Sequence, residues 1–418
     1  MNNRILIFTD NFPYGKSESF LETELEYIDH SFEKVSVFPF EKGKDKNLRE
    51  ISDKIEIVKP VFNKVKNNTE ILHKGLFNTS VFLMLIKEGL RSKVWKSSTN
   101  FRIWVTHFLV IRSLLSEVKR RDLINFFNQF DILYFYWGLR WSQILPFLPP
   151  EIEAKIVVRF HGSDLYEHTN NYYIPWRYEQ LCRINKVIAV SETGKKYIEN
   201  QYPFLKEKII VSRVGTKDHG LNTYNKSETV RIVSCSNLVP VKRVDLIAKT
   251  LALLKIPAHW VHFGDGPGIS VIYTLIRQLP GNIKAEMKGA VEHEELMDYY
   301  RTAPIDLFIN VSSSEGVPVS VMEAMSFGIP VIATNVGGTS EIVSDKTGLL
   351  VNADISPEEL AEKIEELTQK RDFIDLRSAS RLEWEKKSMA EKVYPEFIEQ
   401  LLLISTYSAW SLKYLKFN

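Results

Sequence analysis

Residues 305–340 leave this chain few architectures to choose from. Ile305-Asp306-Leu307-Phe308-Ile309-Asn310 is an apolar run of strand length. It breaks at a loop ending in Glu315-Gly316-Val317-Pro318 and restarts as a short helical pattern. Gly328-Ile329-Pro330 stops that pattern, a second apolar strand runs from Val331 to Ala333, and Gly337-Gly338 turns the chain again. Strand, helix and strand in alternation are the signature of a parallel sheet with helices packed on it.

The same stretch carries two acids eight positions apart, Glu315 and Glu323. A strand that restarts as a helix leaves backbone N–H groups unpaired at the helix start, and Pro318 suits that first turn because it has no N–H to leave unpaired. Unpaired N–H groups and the helix dipole together form an anion site, typically for phosphate. The spacing predicts Glu315 on the loop before the helix and Glu323 about one turn inside it, facing the same crevice. An acid beside a phosphate site accepts hydrogen bonds from sugar hydroxyls, as the ribose-binding acid of dinucleotide folds does. The plainer alternative is a loop acid and a solvated helix acid in an ordinary α/β domain.

The alternation extends along the chain. Strands are expected at Arg4–Thr9, Lys34–Phe40, Lys54–Val58, Asp131–Tyr136, Lys155–Phe160, Lys186–Val190 and Lys208–Arg213, with a helical pattern from Ser19 to Ile28. A second series follows at Val230–Ser234, His259–Phe263, Ile305–Ile309, Val331–Ala333 and Gly348–Val351. Between the series lies the polar stretch Thr216–Glu228, the best linker candidate. A length of 418 residues exceeds what one core supports, so two domains are expected. Val61–Phe130 interrupts the first series with helical segments at Ser80–Leu90 and Trp104–Val118. From Val61 to Arg121 it holds 12 Lys and Arg against 3 Asp and Glu. Two readings stay open for it: a helical insertion with solvated cations, or a surface resting on an anionic membrane leaflet.

A hydrophobic fraction of 44% and a charged fraction of 25% are those of a soluble globular protein. The net charge of +2 selects no partner, and no nucleic-acid partner is expected. The N-terminus enters a strand at once, without the apolar run of a signal peptide, and no stretch is long enough to span a membrane. A cytoplasmic protein is expected, with peripheral contact at the inner face of the cell membrane left open. Cys182 and Cys235 lie in apolar contexts far apart, so both are expected to be buried free thiols. There is no C-x-x-C, zinc spacing, D-x-D or Ser-His-Asp motif.

Four further segments carry chemistry. Arg159-Phe160-His161-Gly162-Ser163-Asp164 closes an expected strand, and ligands of open α/β sheets bind at such ends. His161 is either a ligand contact or a structural histidine that caps the strand and bonds Asp164. Ser236 to Arg243 is a loop between strand and helix whose Lys242 and Arg243 suit a departing diphosphate. A cation pair at a helix start without an anion would be unfavourable. His262-Phe263-Gly264-Asp265-Gly266-Pro267-Gly268 imitates a dinucleotide fingerprint, but its third glycine falls one place early. Asn11 to Phe20 is a turn-rich loop containing Gly15, Lys16 and Glu18, the two charges being acceptor contacts or plain surface charges.

Glu315 and Glu323, the Gly316-Val317-Pro318 filling and the trailing Gly337-Gly338 together resemble the E-x7-E signature of retaining glycosyltransferases of the GT-B fold, most closely glycosyltransferase family 4. The resemblance covers nearly the whole chain and is most specific from Val230 to Val351. It implies two doubly wound Rossmann-like domains facing across a cleft. Residues 1–215 would be the acceptor-binding domain with the basic insertion 61–130, and residues 216–387 the nucleotide-sugar-binding domain. Residues 388–418 would form a helix crossing back to the N-terminal domain, with an aromatic, mildly basic tail that caps that domain or touches membrane.

The same resemblance assigns roles. Catalytic positions would be His161, lining the cleft near the donor sugar, Lys242 on the diphosphate, and Glu315 on the donor-sugar hydroxyls. Donor and nucleotide contacts would be Gly15, Gly215, Arg243, Gly264, Gly266, Gly289, the segment Gly316, Val317, Pro318 and Val319, and Glu323 on the ribose. Asn237 stands where the family commonly has an arginine, and Arg243 is the candidate replacement. Only Gly15 stands where many members carry two adjacent glycines. No cofactor and no metal are implied. The donor would be UDP- or GDP-linked, and the acceptor a glycan or lipid-linked glycan of surface polysaccharide assembly. Two alternatives share the fold: a nucleotide-sugar 2-epimerase, and a non-catalytic nucleotide-sugar-binding subunit.

Overall fold

The computed structural model describes residues 3–15, 18–43, 48–62, 79–225, 227–370 and 373–406. The chain divides into two compact units. The first comprises Met1–Val190, Gly194–Ser212 and Pro395–Asn418, and the second Ser191–Thr193 and Arg213–Tyr394. The aromatic tail after Thr406, residues 63–78 of the insertion and Lys16 lie outside the described residues.

In the first unit seven described strands form one parallel sheet. They are β1 (Arg4–Thr9), β2 (Lys34–Pro39), β3 (Glu56–Ile57), β4 (Ile132–Phe135), β5 (Lys155–Phe160), β6 (Lys186–Ala189) and β7 (Ile209–Val211). Their order is β3-β2-β1-β4-β5-β6-β7. Alternate residues feed opposite cores, because successive strand side chains point to opposite faces. Leu6, Phe8, Leu133, Phe135, Val158 and Phe160 pack with Leu114 and Val118 on one side. Ile5, Ile7, Ile132, Tyr134 and Val157 pack on the other with Leu21, Leu25 and Ile28. Phe397, Ile398, Leu401 and Ile404 of the last helix, Ala390–Thr406, complete that second face. This burial on both sides is why the strands read as continuous apolar runs. Arg159 is the exception within β5. It is fully buried, with Nη2 3.1 Å from Glu24 Oε2 and Nε donating to the Tyr134 hydroxyl at 2.6 Å.

The second unit repeats the plan. Its described strands are β8 (Val230–Cys235), β9 (Ala258–Phe263), β10 (Ile283–Gly289), β11 (Leu307–Asn310), β12 (Val331–Thr334) and β13 (Gly348–Val351). All are parallel, in the order β10-β9-β8-β11-β12-β13. The order reverses direction at β8/β11, as it does at β1/β4 in the first sheet. Such reversal points, at the carboxyl ends of the strands, are where open α/β sheets hold ligands.

Three expectations meet a different outcome. The polar stretch Thr216–Glu228 is fastened to the second unit. Asn222 is buried, donating from Nδ2 to the carbonyls of Tyr300 (2.5 Å) and Ala303 (2.7 Å) and accepting from Arg377 Nη2 (2.7 Å). Its polarity serves hydrogen bonding to backbone, and the long segment of the second unit begins earlier, at Arg213. Cys182 is exposed, because it ends the short helix Arg177–Cys182, while Cys235 is half-buried, and both are free. β10 was unforeseen as a strand. As an edge strand it exposes alternate residues, so IKAEMKG carries no apolar run.

Candidate active site

The loops that follow β8 and β11 meet at the reversal point of the second sheet. Ser313 N–H donates to the Val241 carbonyl at 2.8 Å, which ties one loop to the other. Thr334 Oγ1 donates to the Ser312 carbonyl at 2.5 Å, and Gly338 N–H to the Gly316 carbonyl at 2.6 Å. The Gly337-Gly338 turn thus presses against the backbone of Glu315 and Gly316. At Gly337, where φ is +53°, a Cβ would lie 1.8 Å from the Glu315 carbonyl oxygen, so only glycine fits.

Within this frame Lys242 Nζ sits 2.6 Å from Glu315 Oε1. Asn310 Nδ2 approaches the same oxygen at 3.4 Å. The helix Val319–Ser326 begins directly after this loop, with Pro318 as its extended N-cap rather than its first helical residue. Its first turn leaves the N–H groups of Val319 and Ser320 without an intrahelical acceptor. Gly328, at φ +70°, closes the helix in a Schellman arrangement: Gly328 N–H bonds the Met325 carbonyl and Ile329 N–H the Ala324 carbonyl.

Glu323 projects from this helix to His293 Nε2 at 2.8 Å, with the glutamate largely covered and the histidine half exposed. The His219 ring stands 6.2 Å from His293 and stacks on Phe327. Burial and the neighbouring His293 lower its pKa. Cys235, at the end of β8, has its thiol pushed up to about 12 by burial and by Glu323, so it stays protonated. Neither histidine was singled out in the sequence. His293 lies in an acidic helix start, Glu292-His293-Glu294-Glu295, that reads as plain surface.

The loop after β9 closes on the loop after β8. Leu238 N–H donates to the Asp265 carbonyl at 2.9 Å and Gly268 N–H to the Leu238 carbonyl at 3.0 Å. Gly264 N–H reaches the Gly289 carbonyl at 2.8 Å, at the end of β10. Gly264 and Gly266 have positive φ and lie close under Ser236 and Leu238, while Gly289 faces open space. Beneath them His262 is fully buried between Ser234 Oγ (2.8 Å) and the Ser236 carbonyl (3.1 Å). Burial lowers its pKa to about 4. Lys242, Glu315, Glu323, Gly264, Gly266, Gly289 and Gly316–Val319 therefore all lie at the carboxyl ends of neighbouring strands.

Two positions stand apart within the same unit. Arg243 donates from Nε to the Val311 carbonyl (2.7 Å) and from Nη1 to the Ala353 carbonyl (2.6 Å). Its guanidinium ties two loops together through Nε and Nη1. Gly215 donates to the Tyr394 hydroxyl at 3.1 Å, and a Cβ there would lie 2.8 Å from Ala390 Cα. Close packing against the last helix accounts for that glycine.

In the first unit the strand-end loops gather His161, Asp10, Asp164 and Gly15. His161 N–H donates to Asp164 Oδ1 at 2.6 Å, whereas its ring Nδ1 stands 4.0 Å from Asp164 Oδ2. The backbone, not the imidazole, makes the bond to Asp164. The ring lies against Trp137 with centroids 4.3 Å apart. Burial and the Arg159 guanidinium hold its pKa well below the ordinary value, so the imidazole is neutral. Burial raises Asp10 and Asp164 to about 7. Gly15, at φ +73°, accepts at its carbonyl from Arg49 Nε at 2.6 Å. Glu18 fits neither role open to it. It is buried and accepts from the N–H groups of Asp10, Asn11 and Phe12 and from Trp137 Nε1, so it shapes the loop.

With this geometry in view, the sequence profile described as Glycosyl transferases group 1 matches residues 222–386. The chain is 27% identical over 255 residues to N-acetyl-alpha-D-glucosaminyl L-malate synthase of Bacillus anthracis, across 56% of this chain and 63% of that protein. It is 44% identical over 257 residues to the lipopolysaccharide core biosynthesis mannosyltransferase LpsB of Rhizobium meliloti, across 57% of this chain and 71% of the relative. Among solved structures, Anabaena HepE in complex with UDP superposes with a TM-score of 0.65 at 15% identity, covering 95% of this chain and 99% of that one. At that identity the likeness shows the fold, which is GT-B.

Proposed function

This chain belongs to the group 1 glycosyl transferases, and on that premise we propose that it moves a sugar from a nucleotide-sugar donor to a glycan or lipid-linked glycan acceptor, with retention at the anomeric carbon and without a metal. The observation that carries the reading is the Lys242–Glu315 pair, 2.6 Å apart beside the start of helix Val319–Ser326, with Glu323 one turn further on. A lysine and helix amides suit a diphosphate, and two carboxylates suit hydroxyls. In the proposed complex Lys242 shifts from Glu315 toward the diphosphate, aided by the N–H groups around Gly316–Val319. Glu323 exchanges His293 for the ribose hydroxyls, and Glu315 takes hydroxyls of the transferred sugar. The turns at Gly264, Gly266 and Gly289 leave backbone to meet the base, UDP or GDP. The first unit takes the acceptor, with the neutral imidazole of His161 at its strand ends.

The reaction needs no protein nucleophile. The acceptor oxygen attacks the anomeric carbon on the face from which the phosphate departs, the carbon–phosphate oxygen bond breaks, and the leaving phosphate takes the acceptor proton. Lys242 stabilises the charge developing on that phosphate. The relative in lipopolysaccharide core biosynthesis supports a surface-polysaccharide acceptor, and a lipid-linked one would bring the protein to the inner face of the cell membrane. Product NMR after turnover with UDP- or GDP-sugars tests the scheme: the donor's anomeric configuration should persist, and Lys242→Ala should lower turnover by roughly 10²-fold or more. An inverted product, or a Lys242→Ala rate equal to wild type, would sink it.

A further inference from the structure

The helix Thr79–Ser92 is amphipathic in the wrong sense for a simple surface helix. Such a helix turns its apolar stripe inward and its charges outward. Here Leu83, Ile86 and Leu90 are 65%, 41% and 60% exposed, at helical spacing on one face. Val81 and Leu85 are buried on the opposite face. That face is fixed to the first unit: Trp104 Nε1 donates to the Leu85 carbonyl at 3.3 Å and Trp176 Nε1 to the Met84 carbonyl at 3.4 Å. The apolar surface continues past the helix with Trp95, 56% exposed, and Phe101, 48% exposed.

Among the described residues, the unpaired charges around this surface are of one sign, and Glu179, a quarter exposed, is paired with Arg91 at 2.6 Å. Lys87, Lys93, Lys96 and Arg102 are exposed, and none is ion-paired among the described residues. The acid of the segment, Glu88, is turned inward and held by Arg91, by Ser92 Oγ at 2.8 Å and by the Tyr173 hydroxyl at 3.2 Å. An apolar strip rimmed by free cations, with a tryptophan at its edge and, among the described residues, its nearby carboxylates Glu88 and Glu179 both taken up by Arg91, fits a lipid surface bearing negative headgroups. A second copy of this chain fits it poorly, because two such faces would bring eight like charges together across an apolar contact (four per copy).

We propose that this face docks the protein on an anionic membrane. The inference deepens the functional reading and rests on it only for the choice of a lipid-linked acceptor. The test is sedimentation of the full-length protein with vesicles of phosphatidylcholine alone or mixed with phosphatidylglycerol, at low and raised salt. Binding should be roughly tenfold or more stronger to the anionic vesicles and should fall as salt rises. Leu83→Glu with Leu90→Glu should abolish it, and Lys93→Glu with Lys96→Glu should weaken it by about tenfold or more. These residues are exposed, so both variants should keep the wild-type circular dichroism and the same affinity for UDP and GDP. Equal binding to both vesicle types, or unchanged binding by Leu83→Glu/Leu90→Glu, overturns the proposal. So does a wild-type dimer that this variant dissociates, which would give the face to a second copy. Vesicle binding needs no nucleotide: a wild-type protein that binds nucleotide but no anionic vesicle refutes docking alone, and one that binds anionic vesicles but no nucleotide refutes the functional reading alone.

Discussion

Lys242 and Arg243 are adjacent in sequence and opposite in use. Lys242 reaches Glu315, while Arg243 donates from Nε and Nη1 to the carbonyls of Val311 and Ala353. The cause is local: Arg243 is left-handed, with φ +47°, between the turn Pro240–Lys242 and the helix Val244–Leu251, so its side chain leaves in another direction. Arg243→Ala should therefore cost about 1–3 kcal/mol in urea unfolding, from two lost charge-assisted bonds, yet leave donor affinity within roughly twofold. A large loss of affinity with little loss of stability would return Arg243 to the donor site. His262 is fully buried, which disfavours its protonated form. Its folded pKa of about 4 lies below the unfolded value near 6.5, so its contribution is present above pH 6.5 and is lost as pH falls toward 4. Between pH 7 and 5 the loss should be about 2 kcal/mol, and His262→Gln should flatten that part of the stability profile. A variant profile parallel to wild type would contradict it.

At the scale of elements, the sequence was readable where burial is two-sided. The strand β11, the helix Val319–Ser326 and the strand β12 stand where apolar runs and the Gly328 stop placed them. The acids Glu315 and Glu323 came with that unit, since a loop acid and a helix acid eight positions apart are fixed by it. β10 was hidden because an edge strand alternates and lacks a run. The partners of the acids were hidden too: His293 lies 30 positions from Glu323 and comes to it only through the sheet order. The helix Thr79–Ser92 was visible as a helix, but its outward apolar face required knowing which side packs. Gly337→Ala should displace the Glu315 loop, because its Cβ would sit 1.8 Å from the Glu315 carbonyl oxygen in a backbone conformation that suits glycine. Donor affinity should fall by about tenfold or more while circular dichroism is kept. Unchanged affinity would show that the loop is not held by that turn.

For the whole molecule, alternation of strand and helix was enough to give two parallel sheets, and each sheet places its reversal point between its β1/β4 or β8/β11 pair. What the sequence left ambiguous was where one unit yields to the other. The polar stretch Thr216–Glu228 has the composition of a linker but spends its polar groups on the second unit's backbone. The last helix, Ala390–Thr406, begins in the second unit and buries Phe397, Leu401 and Ile404 in the first. Such packing follows from an apolar stripe whose partner surface no local pattern names. The proposed nucleotide-sugar site of Lys242, Glu315 and Glu323 is a product of the sheet order, because its parts come from separate strand ends. Calorimetric titration of wild type and Glu323→Ala with UDP- and GDP-sugars tests it most directly. Wild type should bind one donor class saturably, and Glu323→Ala should weaken that binding by roughly tenfold or more through loss of the proposed ribose hydrogen bonds to the carboxylate. Equal affinity in the two proteins, or no binding of either donor class by wild type, would contradict it.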